Sequence, residues 1–201
     1  RRLMAPHAPE PAPAPAPAPS ASALRFICLM FVTQHVLLPA SIVLAVLRDR
    51  CCPFSLNLLL CRCSRVRLHL TPESAPLASS PRTIFLANHR SVSDLAIDSA
   101  LTSGGTYLAK YIAAPAFPYS AVYGKLSGGV LYFGARRGTD RAQLAAWLDV
   151  HWATRPLAAW VVYPEGHRSH SSAGLPLKHG VLDAALRLGA LVQCVITTNK
   201  E

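Results

Sequence analysis

Charged residues are scarce in this sequence, and acidic residues are the scarcer kind. Charged residues make up 15% of the 201 residues while hydrophobic residues make up 51%, which excludes a highly charged disordered chain. The mean hydropathy of +0.28 suggests contact with a membrane. Asp and Glu together number 10 against 20 Lys and Arg, so the formal net charge is +10. This excess favours a polyanionic partner, which can be nucleic acid, an anionic membrane surface or a phosphate-bearing substrate.

Three patterns that would identify other classes of protein are missing. The sequence contains no Gly-x-Ser-x-Gly segment, which argues against a serine hydrolase. Its basic residues are dispersed, and no basic stretch is interleaved with aromatic residues, so we expect no nucleic-acid partner. The cysteines form no pair of Cys-x-x-Cys units, so we expect reduced thiols and no metal site.

Residues 1–24 are rich in proline and alanine and form the first of three segments. Much of the proline of the chain lies there, and this composition favours an extended chain with nothing to bury. We therefore predict a disordered tail. The sequence begins with Arg1 and stops at Glu201, directly after an apolar run. We expect a fragment whose last domain is incomplete at the C-terminus.

The second segment, residues 25–70, is built around an apolar run. Phe26 to Leu47 contains no charged residue, and as a helix it would be about 33 Å long, enough to cross a bilayer core of ~30 Å. Pro39 and the polar residues near it leave open whether the run spans the bilayer or is re-entrant. Arginines follow the run more densely than they precede it. We predict a membrane-anchoring helix, a basic juxtamembrane linker and a following domain in the cytosol.

The third segment, residues 71–201, alternates strand and helix patterns. Short β-favouring apolar runs predict strands at 83–87, 130–133, 157–163 and 191–197. Amphipathic or capped segments predict helices at 94–101, 138–152 and 181–188. This alternation predicts an α/β domain with a mainly parallel sheet flanked by helices. In such sheets functional residues gather at the carboxyl ends of the strands.

His89 and Asp94 follow the first predicted strand directly. A carboxylate on one imidazole nitrogen fixes the tautomer and raises the basicity of the ring, which leaves the other nitrogen free to take a proton from an alcohol. The same segment also has a structural interpretation, because Ser91 followed by Asp94 three residues later is a helix-capping pattern. From this segment alone both interpretations stay open.

Glu165, Gly166 and Arg168 follow the third predicted strand in the same way. Glycine lets backbone approach a ligand, an arginine can grip phosphate, and a carboxylate can accept a hydrogen bond from a hydroxyl. Taken alone, this segment can equally be an ordinary polar turn.

Together, these segments resemble the signature of the glycerolipid acyltransferase family, the lysophosphatidate acyltransferases and their relatives. NHRSVSD at 88–94 matches the NHxxxxD block in full, and YPEGHRS at 163–169 matches FPEGTRS with Tyr163 for Phe and His167 for Thr. VLYFGARR at 130–137 takes the place of the FIDR-like block, without its acidic residue. LAK at 108–110, PLKHG at 176–180 and LVQCVI at 191–196 resemble further blocks, the last with Cys194 where proline is usual.

The resemblance implies a membrane-bound enzyme that transfers a fatty acyl group from acyl-CoA to the hydroxyl of lysophosphatidic acid, at the endoplasmic reticulum. His89 would be the general base and Asp94 would orient it. The residues implied in holding the phosphate and glycerol of the acceptor are Arg136 or Arg137, Glu165, Gly166 and Arg168. No cofactor is implied beyond acyl-CoA as co-substrate, and the expected partners are membrane lipid, acyl-CoA and a lysophospholipid.

Other acceptors remain open within the same chemistry. Glycerol 3-phosphate or a lysophospholipid with a larger headgroup can replace lysophosphatidate, and a catalytically inactive membrane scaffold of the same fold is a further alternative. The sequence does not specify the acyl-chain length or the oligomeric state.

Overall fold

The computed structural model describes residues 20–40, 55–80, 82–102, 105–127, 130–133, 141–154, 159–169 and 175–198. Of the predicted disordered tail, residues 1–19 lie outside the described residues, whereas residues 21–24 are helical, contrary to that prediction. Residues 41–47 of the apolar run also lie outside the described residues. Arg136 and Arg137 also lie outside them.

The domain is built on a five-stranded sheet. Its strands are β1 (Thr83–Ala87), β2 (Thr106–Lys110), β3 (Val130–Phe133), β4 (Trp160–Val162) and β5 (Leu191–Val195). Their order across the sheet is β3-β2-β4-β1-β5, and every neighbouring pair is parallel. The described helices are α1 (Ala21–Val36), α2 (Ser55–Cys63), α3 (Asp94–Leu101), α4 (Pro118–Ser127), α5 (Arg141–Thr154) and α6 (Gly180–Leu188).

Side chains of the central strands alternate between two apolar layers, as the pleat of a strand requires. Ile84, Trp160 and Val162 point to one face, where they pack with Leu148 of α5 and Ala184 of α6. Residues of opposite parity, such as Phe85 and Val161, point to the other face, against which α3 packs through partly buried leucines. Helices therefore cover both faces, which confirms the predicted α/β fold with a parallel sheet.

Most predicted elements agree with the observed ones, but β2 and α2 have no predicted counterpart. The β2 sequence TYLAK is as long as that of β1 but ends in a charge, and its apolar part is shorter than the apolar run that marks β1. A 3₁₀ helix (Tyr111–Ala116) and α4 follow β2. Pro115 and Pro118, which argue against regular structure in sequence, lie inside the first and at the start of the second.

The N-terminal helix α1 packs against other helices of the domain rather than standing alone. Phe26 and Met30 are buried in one apolar cluster with α2, α3 and α4. Gln34 has no exposed surface: its side-chain amide donates to Ser120 Oγ (2.9 Å) and accepts from the Ser120 backbone N–H (2.8 Å). Gln34 thereby satisfies an N–H at the start of α4 that has no partner within that helix.

The predicted membrane helix begins in α1 but is only partly described. α1 ends at Val36, and residues 41–47 lie outside the described part of the chain. Among the described residues, no helix combines the length and the apolar character needed to cross a membrane. Membrane insertion of the run from Phe26 to Leu47 therefore stays a prediction.

Candidate active site

The loop after β1 is fixed to the neighbouring strand by Asn88. The Asn88 side chain donates to the Thr197 carbonyl and accepts from the Thr197 N–H, both at 2.9 Å. This paired contact holds the start of the loop against the chain that leaves β5. His89, the next residue, therefore emerges from a fixed backbone at the carboxyl edge of the sheet.

His89 and Asp94 are in direct contact. His89 Nδ1 lies 2.8 Å from Asp94 Oδ2, and the His89 side chain is 24% exposed while that of Asp94 is fully buried. A carboxylate can only accept a hydrogen bond, so this contact places the proton on Nδ1. Nε2 then carries the free lone pair, and a partly exposed ring can present it to a substrate hydroxyl.

Asp94 also holds the turn that leads into α3. The same oxygen, Oδ2, accepts from the backbone N–H groups of Arg90 (2.6 Å) and Ser91 (3.1 Å). Ser91 Oγ accepts from the Ser93 N–H at 3.0 Å, and α3 starts at Asp94 with Ser93 as an N-cap that makes no side-chain cap bond. Only the Asp94-to-Ser91 half of the predicted capping pattern therefore forms. The carboxylate oxygen that makes this bond also contacts His89.

Hydrogen bonds join the loop that follows β4 to the His89 loop. The His89 backbone N–H donates to Glu165 Oε1 (3.3 Å), and the Ser169 N–H donates to the His89 carbonyl (3.0 Å). The Arg90 guanidinium donates to the Ser169 carbonyl (3.1 Å). Since β1 and β4 are adjacent parallel strands, the two loops leave the same edge. The structure thus brings Glu165 beside the His89–Asp94 pair.

Gly166 has a backbone conformation that favours glycine. Its φ is +71°, a conformation that side chains disfavour, and a Cβ at this position would clash with Lys178 Nζ and lie 2.9 Å from Lys178 Cε. The Lys178 N–H donates to the Pro164 carbonyl (2.9 Å), which fixes the lysine backbone to the loop. The bare glycine therefore allows the Lys178 side chain to lie across the Glu165–Gly166 turn.

The sequence alone does not identify Lys178 as a site residue. Its place in the PLKHG segment points to the family, but its contact with Gly166 depends on the path of the chain after residue 175.

Arg168 is exposed, and among the described residues it has no hydrogen bond or ion pair. Arg136 and Arg137 lie outside the described residues, so the structure does not place them.

The sequence analysis does not identify Tyr163 as a site residue either. Its ring stacks on the His89 imidazole with centroids 4.2 Å apart and planes at 15°. Its hydroxyl donates to Asp98 Oδ2 at 2.9 Å. Burial, with added repulsion from Tyr107 and Asp98, raises the pKa of Tyr163 well above its ordinary value, so the phenol remains a hydrogen-bond donor at physiological pH. Only its departure from the family phenylalanine singled it out in the sequence.

We expect Gly166→Ala to lower the enzymatic activity of this site by about tenfold, because the substituted residue is strained at positive φ and displaces the Lys178 side chain. The check is a comparison of initial rates with those of Gly180→Ala, since a Cβ at Gly180 meets nothing within 4 Å and that residue starts α6. Equal rates for both variants would show that the Gly166–Lys178 approach has no role in activity.

In the described part of the chain, no three His, Cys, Asp or Glu side chains converge on a point that could hold a metal ion. The groups that do converge are an imidazole, two carboxylates and basic side chains. This set suits proton transfer from a hydroxyl and the binding of an anion.

Comparison with known proteins gives one finding. A family model described as Acyltransferase matches residues 68–198, which include β1 to β5 and both loops of the candidate site. No curated protein and no solved structure gives a match. On the strength of this match the chain belongs to the Acyltransferase family, the glycerolipid acyltransferases.

Proposed function

We propose that this protein transfers a fatty acyl group from acyl-CoA to the free hydroxyl of lysophosphatidic acid, with phosphatidic acid and CoA as products. The observation that carries the proposal is the contact between His89 Nδ1 and buried Asp94, which leaves Nε2 as the proton acceptor. Family membership supports acyl transfer in general, while the donor, the acceptor and the mechanism belong to the proposal.

The reaction follows from the tautomer of His89. Nε2 takes the proton of the acceptor hydroxyl as its oxygen attacks the thioester carbonyl, and the imidazolium that forms is stabilised by Asp94. The C–S bond breaks, and the CoA thiolate takes the proton back from Nε2. No acyl-enzyme is required, so the site acts mainly by aligning two bound substrates, an effect worth up to ~7–11 kcal/mol.

Basic groups around the site favour an acceptor that carries phosphate. Lys178 lies over Gly166, and Arg168 is exposed on the same loop. Arg136 or Arg137 follows β3 in the sequence, and we propose it as a third basic residue for the phosphate. A guanidinium can bond two phosphate oxygens at once, whereas an ammonium acts as a compact point charge. We assign Arg168 and Lys178 to the acceptor phosphate, with Glu165 and Gly166 at its glycerol.

A lipid acceptor implies contact with a membrane, and surface features of the N-terminal helices support it. α1 exposes Val32 and Val36, and α2 exposes Leu58 and Leu59, with several arginines in and after α2. Exposed apolar side chains flanked by basic residues favour an anionic bilayer surface. We propose a location at the endoplasmic reticulum membrane with the catalytic domain in the cytosol.

The proposal is tested with radiolabelled oleoyl-CoA and membranes that contain the protein. Three acceptors are compared: lysophosphatidate, glycerol 3-phosphate and lysophosphatidylcholine. We expect transfer to lysophosphatidate to be fastest, with the His89→Ala protein as the background. Preference for either other acceptor would overturn the assignment of lysophosphatidate but keep acyl transfer. No transfer to any of them would favour an inactive scaffold.

Arg168→Lys should be damaging although it conserves charge. If Arg168 binds the acceptor phosphate through both arms of its guanidinium, the lysine should raise the KM for lysophosphatidate by about tenfold and leave the KM for acyl-CoA nearly unchanged. Steady-state kinetics with each substrate varied in turn measure both values. A raised KM for acyl-CoA alone would instead place Arg168 on the phosphates of CoA.

A further inference from the structure

Two side chains contact the His89 imidazole, one at its edge and one on its face. The edge contact is the Asp94 hydrogen bond, and the face contact is the stacked ring of Tyr163. Tyr163 follows β4 directly, and β4 is the neighbour of the strand that His89 follows. The stacked pair therefore joins the ends of two adjacent strands at the edge where the site lies.

Tyr163 is in turn held by α3. Its hydroxyl donates to Asp98 Oδ2 at 2.9 Å, and Asp98 is only 1% exposed. Asp94 and Asp98 are four residues apart, so they lie on one face of the helix, one turn from each other. One short helix thus contacts His89 directly through its first carboxylate and indirectly, by way of Tyr163, through its second.

We propose that Asp98 and Tyr163 are positioning residues for the catalytic base: Asp98 fixes the Tyr163 phenol, and the phenol ring sets the plane of the His89 imidazole. This inference rests on the proposed role of His89 as the base. Both residues are outside the NHxxxxD block, and the hydroxyl that links them exists because the chain has Tyr163 where the family motif has phenylalanine.

The physical advantage of this arrangement emerges when His89 becomes charged. An aromatic face attracts a cation placed over it, so a ring 4.2 Å from the imidazole stabilises the imidazolium more than the neutral base. The bond to Asp98 holds the phenol hydroxyl in place. Tyr163 also packs against Tyr107, with ring centroids 6.2 Å apart and planes at 33°. Tyr107 is buried and its hydroxyl accepts from Ser99 Oγ, so Tyr163 lies against a fixed ring.

The test compares Tyr163→Leu, Tyr163→Phe, Asp98→Ala and the double variant Tyr163→Phe/Asp98→Ala in the full chain, by kcat and by KM for oleoyl-CoA and lysophosphatidate. Alanine is used at Asp98 because asparagine could still accept from the Tyr163 hydroxyl. We expect Tyr163→Leu to lower kcat about tenfold with both KM values within twofold, because the loss is in the alignment of the base. Tyr163→Phe keeps the stack but loses the bond to Asp98, so it and Asp98→Ala should each lower kcat by a smaller factor, about threefold. The matched control is Tyr123→Phe, which removes a buried tyrosine hydroxyl in α4.

The double variant separates positioning from packing. If Asp98 acts only through the Tyr163 hydroxyl, adding Asp98→Ala to Tyr163→Phe should lower kcat no further, whereas independent effects would multiply. Thermal unfolding of each variant identifies any that fail to fold. If Asp98→Ala is one of them, Asp98→Leu takes its place, because leucine fills the space of the carboxylate without accepting a hydrogen bond. Wild-type kcat in Tyr163→Leu, or independent effects in the double variant, would overturn the inference. If His89→Ala is inactive in the same assay, the proposed function survives that failure; if His89→Ala is active, both fall.

Discussion

His89→Ala should reduce acyl transfer to the background of membranes without the protein. The imidazole removes the hydroxyl proton in the proposed step, and general-base catalysis contributes roughly 10²–10⁴ in rate. His89 is 24% exposed and its backbone groups remain bonded to Glu165 and Ser169, so truncation leaves the two loops joined. The protein should therefore fold and associate with membranes as before.

The measurement is the initial rate with oleoyl-CoA and lysophosphatidate at equal amounts of folded protein. His179→Ala is the matched control, because His179 is exposed at the start of α6. Activity of His89→Ala above a few per cent of wild type would contradict the assignment of the base. A fall of equal size in both variants would indicate damage to the fold.

Asp94→Asn should lower kcat by about 10²-fold while the protein stays folded. The asparagine oxygen can take the place of Oδ2, which accepts from Arg90 and Ser91 as well as from His89. The backbone hydrogen bonds and the tautomer are then kept, and only the charge is lost. Hydrogen bonds to charged groups contribute about 1.5–3 kcal/mol against about 1 for neutral ones, and the imidazolium of the transition state loses that difference together with its Coulomb attraction.

For Asp94→Asn, the measurements are kcat and the free energy of unfolding from chemical denaturation. Asp94→Ala provides the comparison, because it also removes the hydrogen bonds to the Arg90 and Ser91 N–H groups and should cost about a further 1 kcal/mol of stability. A nearly wild-type kcat in Asp94→Asn would mean that the carboxylate only holds the turn before α3.

Local features of the fold were predictable because their causes lie within a few residues. The bounds of α3 agree with the prediction, and α6 ends as predicted at Gly189, whose φ of +60° is the left-handed conformation that glycine favours. His89 and Asp94 were placed together for the same reason, since they lie five positions apart in the sequence. By contrast, the apolar part of β2 is too short to mark it.

Contacts that depend on the strand order were not predictable. Tyr163 and Asp98 are 65 residues apart, and nothing in either segment indicates that β4 lies beside β1. Lys178 meets Gly166 only because the chain returns across the Glu165–Gly166 turn before α6. Gln34 is a polar residue inside an apolar run, which counts against a helix that spans the membrane. In the structure Gln34 forms two buried hydrogen bonds to Ser120.

The docking of α1 has a practical consequence for where the protein can be cut. The family match starts at residue 68, yet α1 and α2 precede it and share an apolar cluster with α3 and α4. Expression from residue 68 onward would uncover Ile97 and Tyr119 and would take Gln34 from the start of α4, and newly exposed apolar surface promotes aggregation. The smallest unit to express therefore begins at Ser20, the N-cap of α1. A design that shortens the chain between α1 and α2 should keep α1 as part of the domain.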